Sequence, residues 1–314
     1  MRLFGKAGNK SGWMALLLTA DGVQAVAIER RTGSQPRVQL AQTYTAPSGY
    51  PGSILFRVAR DLHAANYHCT TLLGNGAYQL LLVEAPNVPA AEMKAALGWR
   101  VKDMIDFPLE EATLDMALLP PPQNSNVHNS QAFAVVARNS ILAPHQQIFW
   151  DNKVALDAID IDEMAQRNIS ALLEPEGRGV AMLSFDADGG LLTVSYNGEL
   201  YLARRMDINL NQLLDADVDR LQNLHDRITL ELQRSLDHFE RQFSFVTIAK
   251  LVLTALGNGE LRNYLAANLY LPVEQLDLST VLELGDVPDL LQADQQRNYL
   301  RAIGAALRSK EVAA

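Results

Sequence analysis

A pattern that occurs twice, half a chain apart, limits what this sequence can fold into. Residues Trp13 to Arg30 read WMALLLTADGVQAVAIER, and Val180 to Ile208 read VAMLSFDADGGLLTVSYNGELYLARRMDI. Each stretch has an apolar run, an acid-glycine turn and a second apolar run, which is the grammar of a β-hairpin. In the later copy a third run follows, so it reads as a three-stranded meander with turns at Asp188-Gly189-Gly190 and Asn197-Gly198. Two copies of one hairpin predict a duplicated, two-lobed architecture.

A length of 314 residues suits two domains of ordinary size, and a hydrophobic content of 48% suits packed cores. The net charge of −9, without a cluster of Lys and Arg, argues against a nucleic-acid partner. Cys69 is the single cysteine, which fits a reducing compartment. Arg2, Lys6 and Lys10 before the apolar run Trp13 to Leu18 imitate a secretory leader, but the run is short and continues as a patterned hairpin. Leu3, Phe4 and the three cations offer only weak membrane affinity, and no apolar stretch approaches the ~20 residues of a membrane span.

Along the chain, strands are expected at Val38 to Tyr44, Gln79 to Val83, Leu114 to Leu119, Gln131 to Ala137, Ala158 to Ile161 and Ile248 to Leu253. Helices are expected at Ser53 to Ala65, Ala90 to Ile105, Ile141 to Asn152, Asp162 to Leu173, Asp219 to Phe243, Glu260 to Leu269 and Arg297 to Arg308. Asp162 is read as an N-cap, and Pro120 to Ser130 as a polar, disordered loop. Met93, Leu97, Val101 and Met104 fall on one stripe of the Ala90 to Ile105 helix, with Trp99 off it. Glu174 to Gly179 is the expected linker between halves.

Gly and Asp loops after strands can hold phosphates through backbone N–H groups. Three places qualify: around Gly22, around Gly189-Gly190 and around Gly257-Asn258-Gly259. None fits a Walker or dinucleotide motif, and a structural turn is the ordinary explanation for each. His63, His68 and Cys69 match no zinc spacing, and Asp186-Ala187-Asp188 lacks the later ligands of a calcium loop, so no metal site is assigned. Asp160, Asp162 and Glu163 form a small acidic cluster, to which no catalytic role is given. Trp99 and Phe107, flanking Asp103 and Asp106, are candidates for a partner-binding surface.

An ordered set of stretches resembles the PilM family of type IV pilus assembly proteins. It comprises VQAVAIE (Val23 to Glu29), VPAAEMKAALGWRVKDMIDFPLEEATLD (Val88 to Asp115), FAVVARNSIL (Phe133 to Leu142), IDIDEMA (Ile159 to Ala165), YNGELYLAR (Tyr196 to Arg204), LELQRSLDHF (Leu230 to Phe239) and YLRAIGAALR (Tyr299 to Arg308). Within the family the sequence is most similar to the branch of the mannose-sensitive haemagglutinin pilus. The resemblance implies an actin-like, ribonuclease H-like duplicated α/β fold. It divides the chain into a first lobe over 1–175 with an insert subdomain at about 86–152, a second lobe over 176–296, and a helix at 297–314 returning to the first lobe.

It also implies a cytoplasmic protein, peripheral to the inner membrane, bound by the N-terminal cytoplasmic tail of a PilN-like single-span protein and by other platform proteins. The family's phosphate loops carry an acid and a glycine where Leu17 and Thr19, and Ser184 and Asp186, align here; the adenosine loop is reduced to Ala255-Leu256-Gly257-Asn258. Leu17, Thr19, Asp21, Gly22, Ser184, Asp186, Asp188, Gly189, Gly190, Gly257, Asn258 and Gly259 thus outline a vestigial nucleotide pocket. The expectation is a non-catalytic scaffold without a cofactor, ATP-Mg binding only if that pocket still works. The alternatives are an ATP-binding or ATP-hydrolysing member of the family, or the cytoplasmic domain of a type II secretion platform protein, whose fold is similar.

Overall fold

The computed structural model describes residue 10 and residues 12–120, 131–215, 217–257 and 259–309. The proline-rich stretch beyond Pro120, the segment containing Leu3 and Phe4, and Asn258 lie outside the described residues. Two compact units form: Met1–Leu72 together with Asp151–Ala314, and Leu73–Trp150.

The first unit begins with β1 (Trp13–Leu18), β2 (Gly22–Glu29) and β3 (Arg37–Thr45), an antiparallel meander, followed by helix α1 (Gly52–Asp61) and β4 (His68–Leu73), which pairs parallel to β1. β1 is buried along nearly its whole length, because it is central in the sheet and covered on both faces, which is why it reads as an unbroken apolar run. The helix expected through Ala65 stops at Asp61, since His63 takes a left-handed φ of 53° and a short 3₁₀ turn, Ala64–Asn66, leads into β4. β4 escaped the sequence reading because HCTTLL is half polar. Its Thr70 and Thr71 are nevertheless fully buried.

The second unit follows: β5 (Tyr78–Glu84), α2 (Ala90–Val101), β6 (Ala112–Leu118), β7 (Gln131–Arg138) and α3 (Asn139–Asp151). Its sheet has the order β5-β7-β6, all antiparallel. Leu97 and Val101 of α2 pack on Val83, Leu114, Ala132, Ala134 and Val136. α2 ends at Val101, short of Ile105, so Met104 leaves the expected stripe and is half exposed.

The chain then completes the first sheet with β8 (Leu156–Ile161), and α4 (Asp162–Ser170) leads across to the second lobe. There β9 (Gly179–Asp186), β10 (Gly189–Tyr196) and β11 (Glu199–Met206) repeat the antiparallel meander. Short α5 (Leu210–Leu214) precedes α6 (Val218–Gln242), whose Leu224, Ile228, Leu232, Leu236 and Phe239 are buried at three- and four-residue steps. Asp217 caps α6 by accepting from the Arg220 N–H at 2.9 Å. β12 (Ile248–Leu253), α7 (Glu260–Asn268), the three-residue β13 (Val273–Gln275), unforeseen because so short, and α8 (Ala293–Ala306) close the fold.

The two five-stranded sheets have the orders β3-β2-β1-β4-β8 and β11-β10-β9-β12-β13, the same topology twice. The connecting helices cross over. α4 leaves the first sheet and packs on β9, β10 and β11, while α8 leaves the second and packs on β1 and β2. α4 and α8 also touch each other at Gly304, where a Cβ would collide with the Ala165 carbonyl. One core therefore joins residues of both halves, among them Leu17, Val26, Val180, Met182, Ile303 and Leu307.

Candidate functional site

The two hairpin turns sit at equivalent places but are held differently. In the first, the Thr19 N–H donates to the Gly22 carbonyl at 2.9 Å and Thr19 Oγ1 donates to Asp21 Oδ1 at 3.2 Å. Asp21 is exposed, and its carbonyl accepts from the Ala46 N–H at 2.7 Å. Leu17 is only 7% exposed and belongs to the shared core. An ionised side chain there would be buried without a partner.

In the second turn Asp186 Oδ1 accepts from the N–H groups of Asp188, at 2.8 Å, and Gly189, at 3.1 Å. The turn residues are Ala187 and Asp188, both with ordinary negative φ, so the expected turn at Asp188-Gly189-Gly190 is displaced. Gly189 and Gly190 are instead the first residues of β10. A Cβ on Gly189 would come within 2.7 Å of the Met206 carbonyl, and one on Gly190 within 2.8 Å of the Phe185 ring. Gly22 begins β2 at the matching place, and its Cβ would collide with the Tyr44 carbonyl. Close approach of the third strand accounts for Gly22 and, together with a φ of 140°, for Gly189. The Asn197-Gly198 turn has the positive φ values, 51° and 78°, that such a tight turn needs.

Around the second turn lies an ion network that the sequence did not reveal. Arg301 of α8 donates through Nε to Asp162 at 2.7 Å, and its Nη1 lies 3.6 Å from Asp186 and 3.8 Å from Asp188. Arg205 of β11 pairs with Asp162 at 3.2 Å and with Glu163 at 2.9 Å. Four carboxylates thus face two guanidiniums. Burial pushes the carboxyls of Asp162 and Asp186 above the ordinary range, and the attraction of Arg301 offsets only part of it. Asp162 is not the N-cap of α4; Ile161 holds that position, and the Asp162 carboxylate is taken by the two arginines. Beside them Gln166 donates to the carbonyls of Met182 and Leu191 and to Thr193 Oγ1, and Ser184 Oγ donates to Gln166 Oε1 at 2.5 Å. These pairings bridge up to 139 residues of sequence, so no local pattern announces them.

The third loop is more open. Gly257 and Gly259 have φ of 48° and 82°, and nothing would meet a Cβ on either. Beside this loop Arg297 donates to the Ala255 carbonyl, while Arg297 Nε and Thr254 Oγ1 are buried without a partner. Asp160 accepts from Arg308 at 2.8 Å. His68 Nδ1 lies 2.8 Å from Asp157, and Cys69 is buried, its thiol pushed up to about 11 by desolvation. Among the described residues no group of three or more His, Cys, Asp or Glu could hold a metal ion. Trp99 is 70% exposed, with the Lys102 ammonium 5.2 Å from its ring centre; Phe107 packs against its unit's core under the Arg138 guanidinium.

A nucleotide triphosphate needs donors aimed outward at both hairpins. These residues do not fit one. The second turn's amides are taken by Asp186, the first turn's Thr19 N–H by Gly22, and the carboxylates of Asp186 and Asp188 would repel the phosphates. The third loop has two buried polar atoms without a partner beside it, and the second turn presents carboxylates.

No family model and no curated protein matches the chain. Among solved structures, the PilM-PilN type IV pilus biogenesis complex matches at 20% identity over 95% of this chain and 98% of that one, with a TM-score of 0.72. Two more distant matches carry no argument by themselves. A Bacteroides thetaiotaomicron protein with an actin-like ATPase fold has 14% identity, 90% and 96% coverage and a TM-score of 0.48. The cytoplasmic domain of EpsL, an inner-membrane component of the Vibrio cholerae type II secretion system, has 12%, 95% and 96%, and 0.48. The chain has an actin-like fold, and no helix of the described residues is long and apolar enough to cross a membrane.

Proposed function

We propose that this chain is a non-catalytic scaffold of the inner-membrane platform for a type IV pilus, of the mannose-sensitive haemagglutinin type (MshI), with a degenerate nucleotide site. The observation that carries this reading is the second hairpin, whose amide donors are occupied by Asp186 and whose carboxylates are engaged by Arg301. The protein is cytoplasmic and reaches the membrane through a partner, because a chain of net charge −9 is repelled by an anionic lipid surface.

That partner is the N-terminal cytoplasmic tail of a PilN-like single-span protein, other platform proteins assembling around it. Support comes from a groove of about 280 Å³ beside α1, walled by Phe56, Ala59, Ala64 and Val154, with Lys10, Arg60 and Lys153 also lining it. A disordered tail ordering in such a groove binds with moderate affinity through a few apolar anchors. The test is fractionation of cells whose partner lacks its cytoplasmic tail, together with calorimetry of the synthetic tail. Release of the protein from the membrane, and peptide binding weakened by Phe56→Glu, are expected. Continued membrane association in those cells, with no binding of the peptide, would overturn the proposal.

A further inference from the structure

Each lobe carries a groove at the same topological place, where the helix before the sheet's fourth strand in chain order ends, next to that strand's start and to the segment entering the fifth. In the first lobe α1, β4 and the approach to β8 bound it; in the second, α6, β12 and the approach to β13 do. The fold itself creates the concavity, so what distinguishes the two is their lining. The cations of the first groove are engaged: Lys10 by Asp157 at 2.8 Å, Arg60 by Asp61 at 2.8 Å, and Lys153 over the Phe56 ring at 5.6 Å.

The second groove is larger, about 540 Å³, and has an apolar floor of Leu236, Val246, Ile248, Leu269 and Leu271. Its lining holds no cation and two carboxylates, Asp237 and Glu240. Three residues apart on α6, they lie on one face of the helix. Neither carboxylate has an ion-pair or hydrogen-bond partner among the described residues. Arg241 turns to the Asp237 main-chain carbonyl, at 3.2 Å. At the lip, Tyr270 is fully exposed.

We propose that this second-lobe groove docks a basic, apolar peptide segment of another protein, with leucine or phenylalanine seated on the floor and lysine or arginine against Asp237 and Glu240. Charge complementarity selects the cations, and the volume lies within the roughly 300–1,000 Å³ of ligand-sized pockets. A small cation alone would leave the floor and the Tyr270 ring in water, whereas a peptide covers them; an aromatic residue at such a lip commonly dominates binding. The inference does not depend on the first-lobe groove or on the pilus reading.

The test uses the full chain and a fluorescein-labelled peptide, Lys-Leu-Arg-Phe-Lys-Leu-Arg, followed by anisotropy. Asp237→Lys with Glu240→Lys should weaken binding by about tenfold or more, and Tyr270→Ala by about fivefold. Both changes lie on exposed side chains. Reversing charge elsewhere on α6, with Asp219→Lys and Glu231→Lys, should change binding less than twofold, roughly what screening leaves of a distant charge. Equal loss in both double variants would mean attraction to the net charge alone and would overturn the proposal. So would equal binding of a peptide with glutamates in place of the cations, or no binding by any peptide. Concentration-dependent dimerisation in sedimentation, abolished by the Asp237 and Glu240 reversal, would assign the groove to a second copy and likewise reject it.

Discussion

The turn between β1 and β2 and the turn between β9 and β10 have one backbone plan and two fates. The first is closed by its own residues, Thr19 to Gly22, and stands at the surface. The second is tied, through the half-exposed Asp186 and Asp188, to Arg301 of α8 and from there to the buried Asp162 of α4. The two halves share the strand order and the glycine at the head of each second strand. They do not share the bonding of the turn: the Thr19 N–H is held by the Gly22 carbonyl, whereas the Asp188 and Gly189 N–H groups are held by the Asp186 carboxylate.

The comparison breaks most sharply at Arg301. Its replacement by Met leaves the Asp162 carboxylate, 3% exposed, with Arg205 as its remaining partner, a change expected to cost about 1.5–3 kcal/mol in urea denaturation. A loss below about 1 kcal/mol would mean that the second turn stands as independently as the first.

Alanine at the matched glycines sharpens the likeness instead. Gly22→Ala and Gly189→Ala each force a Cβ against the carbonyl of the third strand, and each should cost about 1–3 kcal/mol, the clash being tighter at Gly22 and a φ of 140° adding strain at Gly189. Neutral behaviour of one alone would show that the hairpins are not equivalent there.

The lobes should also respond oppositely to acid. In the first, burial pushes the Asp157 carboxyl up, but Lys10, His68 and the Cys69 N–H together hold it below the ordinary range. Its stabilisation is present above the unfolded pKa of about 3.9 and is lost as pH falls through the lower folded value. In the second, burial raises Asp186 above what Arg301 and the Asp188 N–H restore. Its favourable contribution is complete below the unfolded pKa and is lost as pH rises through the higher folded value. Relative to wild type, Asp157→Asn should therefore become more destabilising, and Asp186→Asn less so, as pH rises through the carboxylate range. Parallel curves in a pH series of urea denaturations would contradict this assignment.

The smallest effect belongs to Asp21→Ala. Only the exposed contact with Thr19 Oγ1 is lost, so the change should stay within about 0.5 kcal/mol in the same denaturation assay. A cost near that of Arg301→Met would erase the contrast between the turns.

Much of the fold was legible because it rests on local pattern. The apolar runs of β1 and β9, the Asn197-Gly198 turn and the leucine spacing of α6 all announce themselves within a few residues. β4 was missed because it buries two threonines that sequence counts as polar, Thr70 donating to the Thr71 carbonyl and Thr71 Oγ1 left without a partner, and β13 because three residues carry no period. The candidate site was legible as a set of hairpin turns and silent about their surroundings. Arg301 and Gln166 lie on helices far along the chain from the side chains they hold. Asp162 shows the limit well: a helix-start aspartate suggests capping, and only the arginines brought in by tertiary packing give it another use.

The central claim is that the duplicated fold persists while both hairpins have given up phosphate. Calorimetric titration of the purified chain with ATP, with and without Mg²⁺, addresses it directly. No saturable binding tighter than about 0.1 mM is expected, several kcal/mol short of a micromolar site, and Mg²⁺ should make no difference. A micromolar, Mg²⁺-dependent dissociation constant would contradict the account.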